Sequence, residues 1–289
     1  MKKIVLTGAN GFVGSYFKNK YAHKYSIETF SFLRDNFESL NLDGVDVVLH
    51  LSALVHQMSG ADEEEYSRVN VEQTLNLAKK AKESGVGQFI FMSSVKVYGE
   101  ESSEPYSEDT PCKPEDGYGK SKLKAEEELQ KLESETFKVA IVRTPIVYGE
   151  GVKANIKNLV NLIRKVPILP FGSIENRRSM IYIGNLNFFI DRIIEKKESG
   201  VFLVSDERAL STSELIELIS KALDKSVYLV KVPLFESLLR LAKPSFHKRL
   251  FESLEVSNKK TMSKLLENGE KSLPYSVEDG IKFMIKGEE

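Results

Sequence analysis

Residues Thr7–Gly14 read TGANGFVG and follow directly on KKIVL, Lys2–Leu6. Gly8, Gly11 and Gly14 fall at every third position, and the polar–apolar stretch SYFKNKYAHKY comes next. A short apolar run, a glycine turn and an amphipathic stretch read as a buried strand, a tight turn and a helix. Glycines let the backbone turn sharply and come close to a bound group. The first amides of a helix attract an anion such as a pyrophosphate. A glycine triplet alone is weak, but behind the first strand of an alternating chain it carries weight.

The first half does alternate. KIVL, IETFSF, VDVVLHL, QFIFMS and KVAIVR read as buried parallel strands. Between them, VNVEQTLNLAKKAKESG places Val69, Leu75, Ala78 and Ala81 near one helical face, with Gly85 suited to end the helix. GKSKLKAEEELQKLESE is a second helix with Leu123, Leu129 and Leu132 as apolar contacts, and its glutamate run reads as a solvated face. Strand and helix in repetition predict an α/β fold, a Rossmann-like doubly wound parallel sheet. Past Gly149 the pattern loosens. NIKNLVNLIRKV and STSELIELISKAL read as helices, the second opening on a capping box at Ser211–Glu214. VFLVS and VYLVKV read as short strands, and prolines 167, 170, 233 and 244 punctuate this half. The organisation predicted is a dinucleotide-binding domain over 1–150, to which the segment around 180–205 returns, and a smaller, mainly substrate-binding lobe over 151–289.

Composition sets the outer limits. The 289 residues are 41% hydrophobic and 29% charged, with a formal net charge of -1. That balance predicts an ordinary globular protein with no global field for nucleic acid or an anionic membrane. No apolar run reaches bilayer length, so no integral membrane segment is expected. The opening MKKIVLTG reads as a first strand and not as a leader. The single cysteine, Cys112, forms no internal disulfide. A reduced, cytoplasmic protein is the expectation. His23, His50, His56 and His247 have no zinc-type spacing, so no metal site is predicted.

The Gly-x-x-Gly-x-x-Gly spacing resembles the short-chain dehydrogenase/reductase superfamily, in its extended, epimerase/dehydratase branch. HLSALVH (His50–His56), FIFMSSVKVYGE (Phe89–Glu100), YGKSK (Tyr118–Lys122) and VRTPIVYGEG (Val142–Gly151) follow in the order of that branch, and the likeness continues into NRRSMIYIGNL (Asn176–Leu186). SSVKVYGE and ENRRSMIYIGNL look most like bacterial nucleotide-sugar 4-epimerases and 4-keto-sugar reductases of polysaccharide synthesis. The resemblance implies an NAD(P) cofactor held by Gly8, Gly11, Phe12, Val13, Gly14, Leu51, Ser52, Ala53, Pro145 and Ile146, together with Tyr118 and Lys122. It implies Ser94, Tyr118 and Lys122 as the catalytic set, with Ser93 as the alternative serine. Where the branch places an aspartate, Asn185 stands here.

Tyr118 and Lys122 are four apart and share a helical face. A neighbouring ammonium favours the phenolate, so the tyrosine pKa is expected to fall towards neutrality and the group to exchange a proton with a carbonyl oxygen. Ser94 would hydrogen-bond the same oxygen. Related dehydratases carry an acidic pair just after that serine; Val95 and Lys96 stand there and cannot remove water. Arg34, at the end of SFLRDN, matches a 2′-phosphate and points to NADP(H), with NAD left open through Asp35. Ser93, Ser94, Lys96, Lys153, Asn155 and Arg178 are the expected substrate contacts, Arg178 at a diphosphate. The reading placed first is C4 reduction of a UDP-linked 4-keto-6-deoxy-N-acetylhexosamine. A UDP-glucose or UDP-GlcNAc 4-epimerase is the alternative, and a non-catalytic cofactor-binding regulator a third. A homodimer through the helix carrying Tyr118 is expected, with a small nucleotide sugar as the partner molecule.

Overall fold

A computed structural model describes residues 1–55, 62–172, 174–267 and 272–288. Its first elements are β1 (Lys3–Thr7), α1 (Phe12–Tyr21), β2 (Ser26–Phe30), β3 (Val47–His50), α2 (Glu63–Tyr66), a π-helical turn (Ser67–Glu72), α3 (Gln73–Glu83) and β4 (Gln88–Ser94). A 3₁₀ turn (Val95–Val97) follows, then α4 (Gly117–Gln130), β5 (Lys138–Thr144), β6 (Ile146–Tyr148), α5 (Ala154–Lys165), β7 (Ile168–Leu169), β8 (Met180–Tyr182) and α6 (Ile183–Lys196). The chain continues through β9 (Gly200–Leu203), α7 (Thr212–Ala222), β10 (Tyr228–Leu229), α8 (Phe235–Ala242), α9 (Pro244–Phe251), α10 (Lys259–Leu265) and α11 (Val277–Lys286). Among the described residues no helix is long and apolar enough to cross a membrane.

Six strands form one parallel sheet in the order β2–β1–β3–β4–β5–β9. The period-2 alternation of a strand divides its side chains between two helical layers. Ile4, Leu6, Ile90 and Val142 pack with Phe17 of α1 and Phe189 and Ile193 of α6. Val5, Phe89, Phe91 and Ile141 face Leu77 and Ala78 of α3 and Ala125 and Leu129 of α4. Each of these larger side chains gives about 1.5–3 kcal/mol on burial. A second core gathers α5, α7 and α11 against the parallel pair β6–β8. Its hinge is Asp206, which accepts from the Tyr148 hydroxyl (2.7 Å), the Tyr182 amide (3.1 Å) and the Asn185 amide group (2.8 Å). Asn185 also donates to Tyr275 O at 2.9 Å, which ties the start of α6 to the C-terminal segment.

The chain leaves β1 outward to β2 and returns to β3 on the other side, so a crevice opens at the C-terminal ends of β1 and β3. His50 closes its floor. It bridges Thr7 Oγ1 (2.7 Å) and Thr74 Oγ1 (2.9 Å), and burial, with Lys122 nearby, pushes its pKa down to about 3. A neutral imidazole therefore fixes both strand ends to α3.

The glycine turn is fitted to this crevice. Gly8 has φ +71°, and a Cβ there would lie 2.8 Å from the Leu51 carbonyl carbon and the Ser52 nitrogen. A Cβ on Gly14 would meet Gly8 O at 2.3 Å. We expect Gly14→Ala to cost about 1–3 kcal/mol through overpacking, read as a lower urea midpoint at unchanged slope. An unchanged midpoint would show that the turn has slack.

Candidate active site

β4 ends in two serines that point to opposite sides. Ser93 is buried and donates to Glu126 Oε1 on α4. Ser94 lies at the sheet edge, where its hydroxyl accepts from the Lys96 amide at 3.3 Å and hydrogen-bonds Tyr118. Ser93, expected among the substrate contacts, thus faces away from Tyr118 and into the core.

α4 delivers Tyr118 and Lys122 to that edge. Asp116 caps the helix by accepting from the Gly119 amide at 2.6 Å. A Cβ on Gly119 would lie 2.7 Å from Lys96 O, so the helix start is pressed against the turn after Ser94. Lys96 is held by carboxylates on two elements, Glu100 at 2.5 Å and Asp116 at 2.8 Å. An ammonium in two ion pairs braces the N-terminus of α4. Lys96, expected among the substrate contacts, is thus already engaged by two carboxylates.

Lys122 is 2% exposed, donates to Met92 O at 2.8 Å and lies 4.4 Å from the centre of the Phe91 ring and 6.0 Å from that of Tyr118. Burial pushes its pKa down to about 7, opposed by Glu126 one turn on. Tyr118 moves against expectation: its pKa is raised, first by burial and then by the Asp116 charge, while the Ser94 hydrogen bond pulls the other way. Burial also pushes down the Lys122 pKa, which weakens the charge that was to lower that of Tyr118. Shared helical spacing gave proximity and said nothing of desolvation.

Three supporting residues were not singled out from sequence. Asn70, buried in the π-helical turn, accepts from the Leu54 amide (2.8 Å) and donates to Leu54 O and Ser121 Oγ (both 3.0 Å). It joins the loop after β3 to α4. Glu126 and Arg143 form a buried, forked ion pair, with Arg143 Nε 3.2 and 3.1 Å from the two Glu126 oxygens and Nη2 at 2.5 Å. Arg143 also donates to Tyr98 Oη at 2.7 Å. The glutamate run was expected to be a solvated face; its first member is 1% exposed instead. Glu126 stands one turn from Lys122, and that i,i+4 spacing was the available signal.

The residues expected to hold the dinucleotide lie along the same C-terminal edge. α1 begins at Gly11 with no side-chain cap and no acid in its first turn, so its end is left for an anion at Gly11, Phe12 and Val13. α4, α7 and α11 are capped by side chains, while α5 and α6 share the uncapped start of α1. Leu51, Ser52 and Ala53 follow β3, and Pro145 and Ile146 follow β5. The glycine cradle and the uncapped helix fit a dinucleotide pyrophosphate. Arg34 is exposed in a turn four residues beyond the end of β2, and Asp35 is engaged by the Ser31 amide at 2.8 Å. His56 lies outside the described residues.

In the second half of the chain, Arg178 is half-buried and donates to Glu252 O at 3.1 Å, and burial lowers its pKa. Among the described residues it makes no ion pair, whereas Arg177 is spent on Glu255 at 2.6 Å. Lys153 and Asn155 are exposed at the start of α5, where Asn155 Oδ1 accepts from Arg249 at 3.4 Å.

A parallel sheet with a glycine cradle at its switch point, and a Ser–Tyr–Lys set at the next strand end, defines a nicotinamide-dependent oxidoreductase-type enzyme. Residues 4–204 match the NAD dependent epimerase/dehydratase family, and the chain belongs to it. It is 39% identical over 261 residues to a UDP-glucose 4-epimerase of Vibrio cholerae, covering 81% of this chain and 80% of the relative. It is 28% identical to an N-acetyl-alpha-D-glucosaminyl-diphospho-ditrans,octacis-undecaprenol 4-epimerase of Escherichia coli O157:H7, over 80% of this chain and 75% of that one. The fold also matches the UDP-glucuronic acid 4-epimerase of Bacillus cereus, with TM-score 0.78, 22% identity and coverage of 99% and 98% of the two chains.

Two outcomes test this geometry. Arg143→Met strands the Glu126 carboxylate in the core and should cost about 3–5 kcal/mol in urea unfolding. Lys122 holds a pKa near 7 when folded against 10.5 ordinarily, so between those values the unfolded chain binds the extra proton. Stability of nucleotide-free protein should therefore rise with pH across that window, by at most about 1.4 kcal/mol per unit, relative to Lys122→Met. Parallel pH curves for the two would refute the depressed lysine.

Proposed function

We propose that this chain is a UDP-sugar 4-epimerase that keeps its nicotinamide cofactor through the cycle. The observation that carries the reading is the 39% identity to a UDP-glucose 4-epimerase along four-fifths of both chains, joined to the Ser94–Tyr118 contact beside Lys122. The bound dinucleotide would accept the C4 hydride and return it, its oxidised ring adding a positive charge that favours the Tyr118 phenolate. Tyr118 takes the proton of the C4 hydroxyl and returns it to the same oxygen, while inversion follows from hydride returning to the opposite face of C4. Ser94 holds the oxygen through the exchange. Lys122, anchored on Met92 O, would hold the nicotinamide ribose. Arg178 meets the substrate diphosphate, and Lys153 and Asn155 stand at the same end of the cleft.

C4 reduction of a UDP-linked 4-keto-6-deoxy-N-acetylhexosamine, the first expectation, becomes the second reading. Arg34 favours it: the side chain is exposed near the ribose edge of the crevice, and the Asp35 carboxylate is turned back onto the Ser31 amide. An arginine there suits the 2′-phosphate of NADP(H).

The test is to purify the protein without added nucleotide, denature it and identify what is released. Stoichiometric NAD(H), with interconversion of UDP-glucose and UDP-galactose or of their N-acetyl forms, is the expected result. Tyr118→Phe should lose about 10²–10⁴-fold in that interconversion while still releasing nucleotide. Empty protein that binds NADPH more tightly than NADH and consumes it with a UDP-4-keto sugar would replace the epimerase by the reductase.

A further inference from the structure

Twelve large apolar side chains are exposed among the described residues, and eight of them belong to one region: Ile168 and seven between Tyr228 and Phe246. β7 and β10 place Ile168 beside Tyr228, and the rest run on through Val230 and Val232 into α8. Leu234, Leu238 and Leu241, at i, i+4 and i+7, are 75, 66 and 87% exposed. They form a stripe separate from Phe235 and Leu239, which pack on the second core. α8 buries no residue completely. Pro244 then starts α9, which leaves Phe246 on the surface.

The charges along this stretch are mostly basic, with Asp224 and Glu252 at its two ends. Lys225, Lys231, Arg240, Lys243, Lys248 and Arg249 stand between positions 225 and 251 against one acid, Glu236, and Glu236 is engaged by His247 at 3.3 Å. Among the described residues Lys231, Arg240 and Lys243 make no ion pair. The whole chain carries a formal charge of -1, so this basic excess is local.

We propose that α8 and α9 seat on an anionic lipid bilayer. An apolar stripe rimmed by lysine and arginine suits an interface of acyl chains under negative headgroups. A self-complementary contact with a second copy would bring the basic rim against itself. Helices of eight residues cannot span a bilayer, so the chain lies on the surface. α9 is continuous with Glu252, whose carbonyl receives Arg178, so docking brings that contact to the membrane side of the protein. This inference does not depend on the reaction catalysed, and its test reads binding without turnover.

The experiment is co-sedimentation with vesicles of phosphatidylcholine alone or mixed with phosphatidylglycerol, at low and high salt. Binding is expected to the mixed vesicles, weakly to the neutral ones, and to weaken as salt screens the headgroups. Leu238→Asp with Leu241→Asp should weaken it about tenfold or more. Arg240→Gln with Lys243→Gln carries the test independently and should weaken it about tenfold. Thermal unfolding checks that both remain folded. No binding to mixed vesicles at low salt, or binding unchanged in both variants, overturns the proposal. So does a concentration-dependent dimer that Leu241→Asp dissociates, which would assign the face to a second copy.

Discussion

A single ammonium, buried against the face of Phe91 with one backbone carbonyl as its acceptor, ties α4 to the central strand. Desolvation makes that lysine costly to keep charged. Its surroundings are therefore built to hold it without neutralising it outright. The carbonyl of Met92 supplies a dipole, the Phe91 ring a negative face, and Glu126 a full charge one turn away. Glu126 in turn is saturated by Arg143 and Ser93, which limits how strongly it pulls on the lysine. The site is an arrangement of partial compensations, and Tyr118 stands at its rim with its proton still on.

The same logic runs through the start of α4. Asp116 is the helix cap, yet its charge works against a phenolate two residues on. Lys96 lies on that carboxylate and on Glu100. Burial would lower the pKa of Lys96, and the two carboxylates outweigh it and raise it. A cation at this position thus mutes the cap's field where Tyr118 feels it, and keeps the helix start pressed on the turn after Ser94. Lys96, standing where related dehydratases carry an acid, braces the start of this helix.

Much of this was legible beforehand because it is local. The glycine spacing, the apolar runs and the Tyr–Lys interval are patterns over a few residues, and they placed β1 to β5, the turn and the helix that carries Tyr118 and Lys122. The capping box at Ser211 and Glu214 formed as its spacing requires. What was missed depends on partners distant in sequence. Glu126 looks like its neighbours Glu127 and Glu128, and only Arg143 on β5 distinguishes it. Asn70 sits in an unremarkable helical run until Leu54 and Ser121 close around it. VYLVKV shrank to the two-residue β10 because a strand needs a partner, and β7 offers only Ile168 and Leu169. The interval brought Tyr118 near Lys122 but carried no sign that its pKa is raised, since burial is a property of the fold and not of the interval.

The second half obeys a different economy. Its core hangs on Asp206, a carboxylate with three donors, and on short parallel pairs too small to stand alone. Such a lobe has little surplus apolar area to hide, and α8 shows it: the helix packs Phe235 and Leu239 inward and leaves Leu234, Leu238 and Leu241 outside. Exposed leucine costs solubility unless something covers it. The sheet half shows no comparable patch among its described residues, so the exposure is not a general looseness of the chain. It is confined to the stretch from β7 and β10 through α9, which adjoins Glu252 and its contact with Arg178.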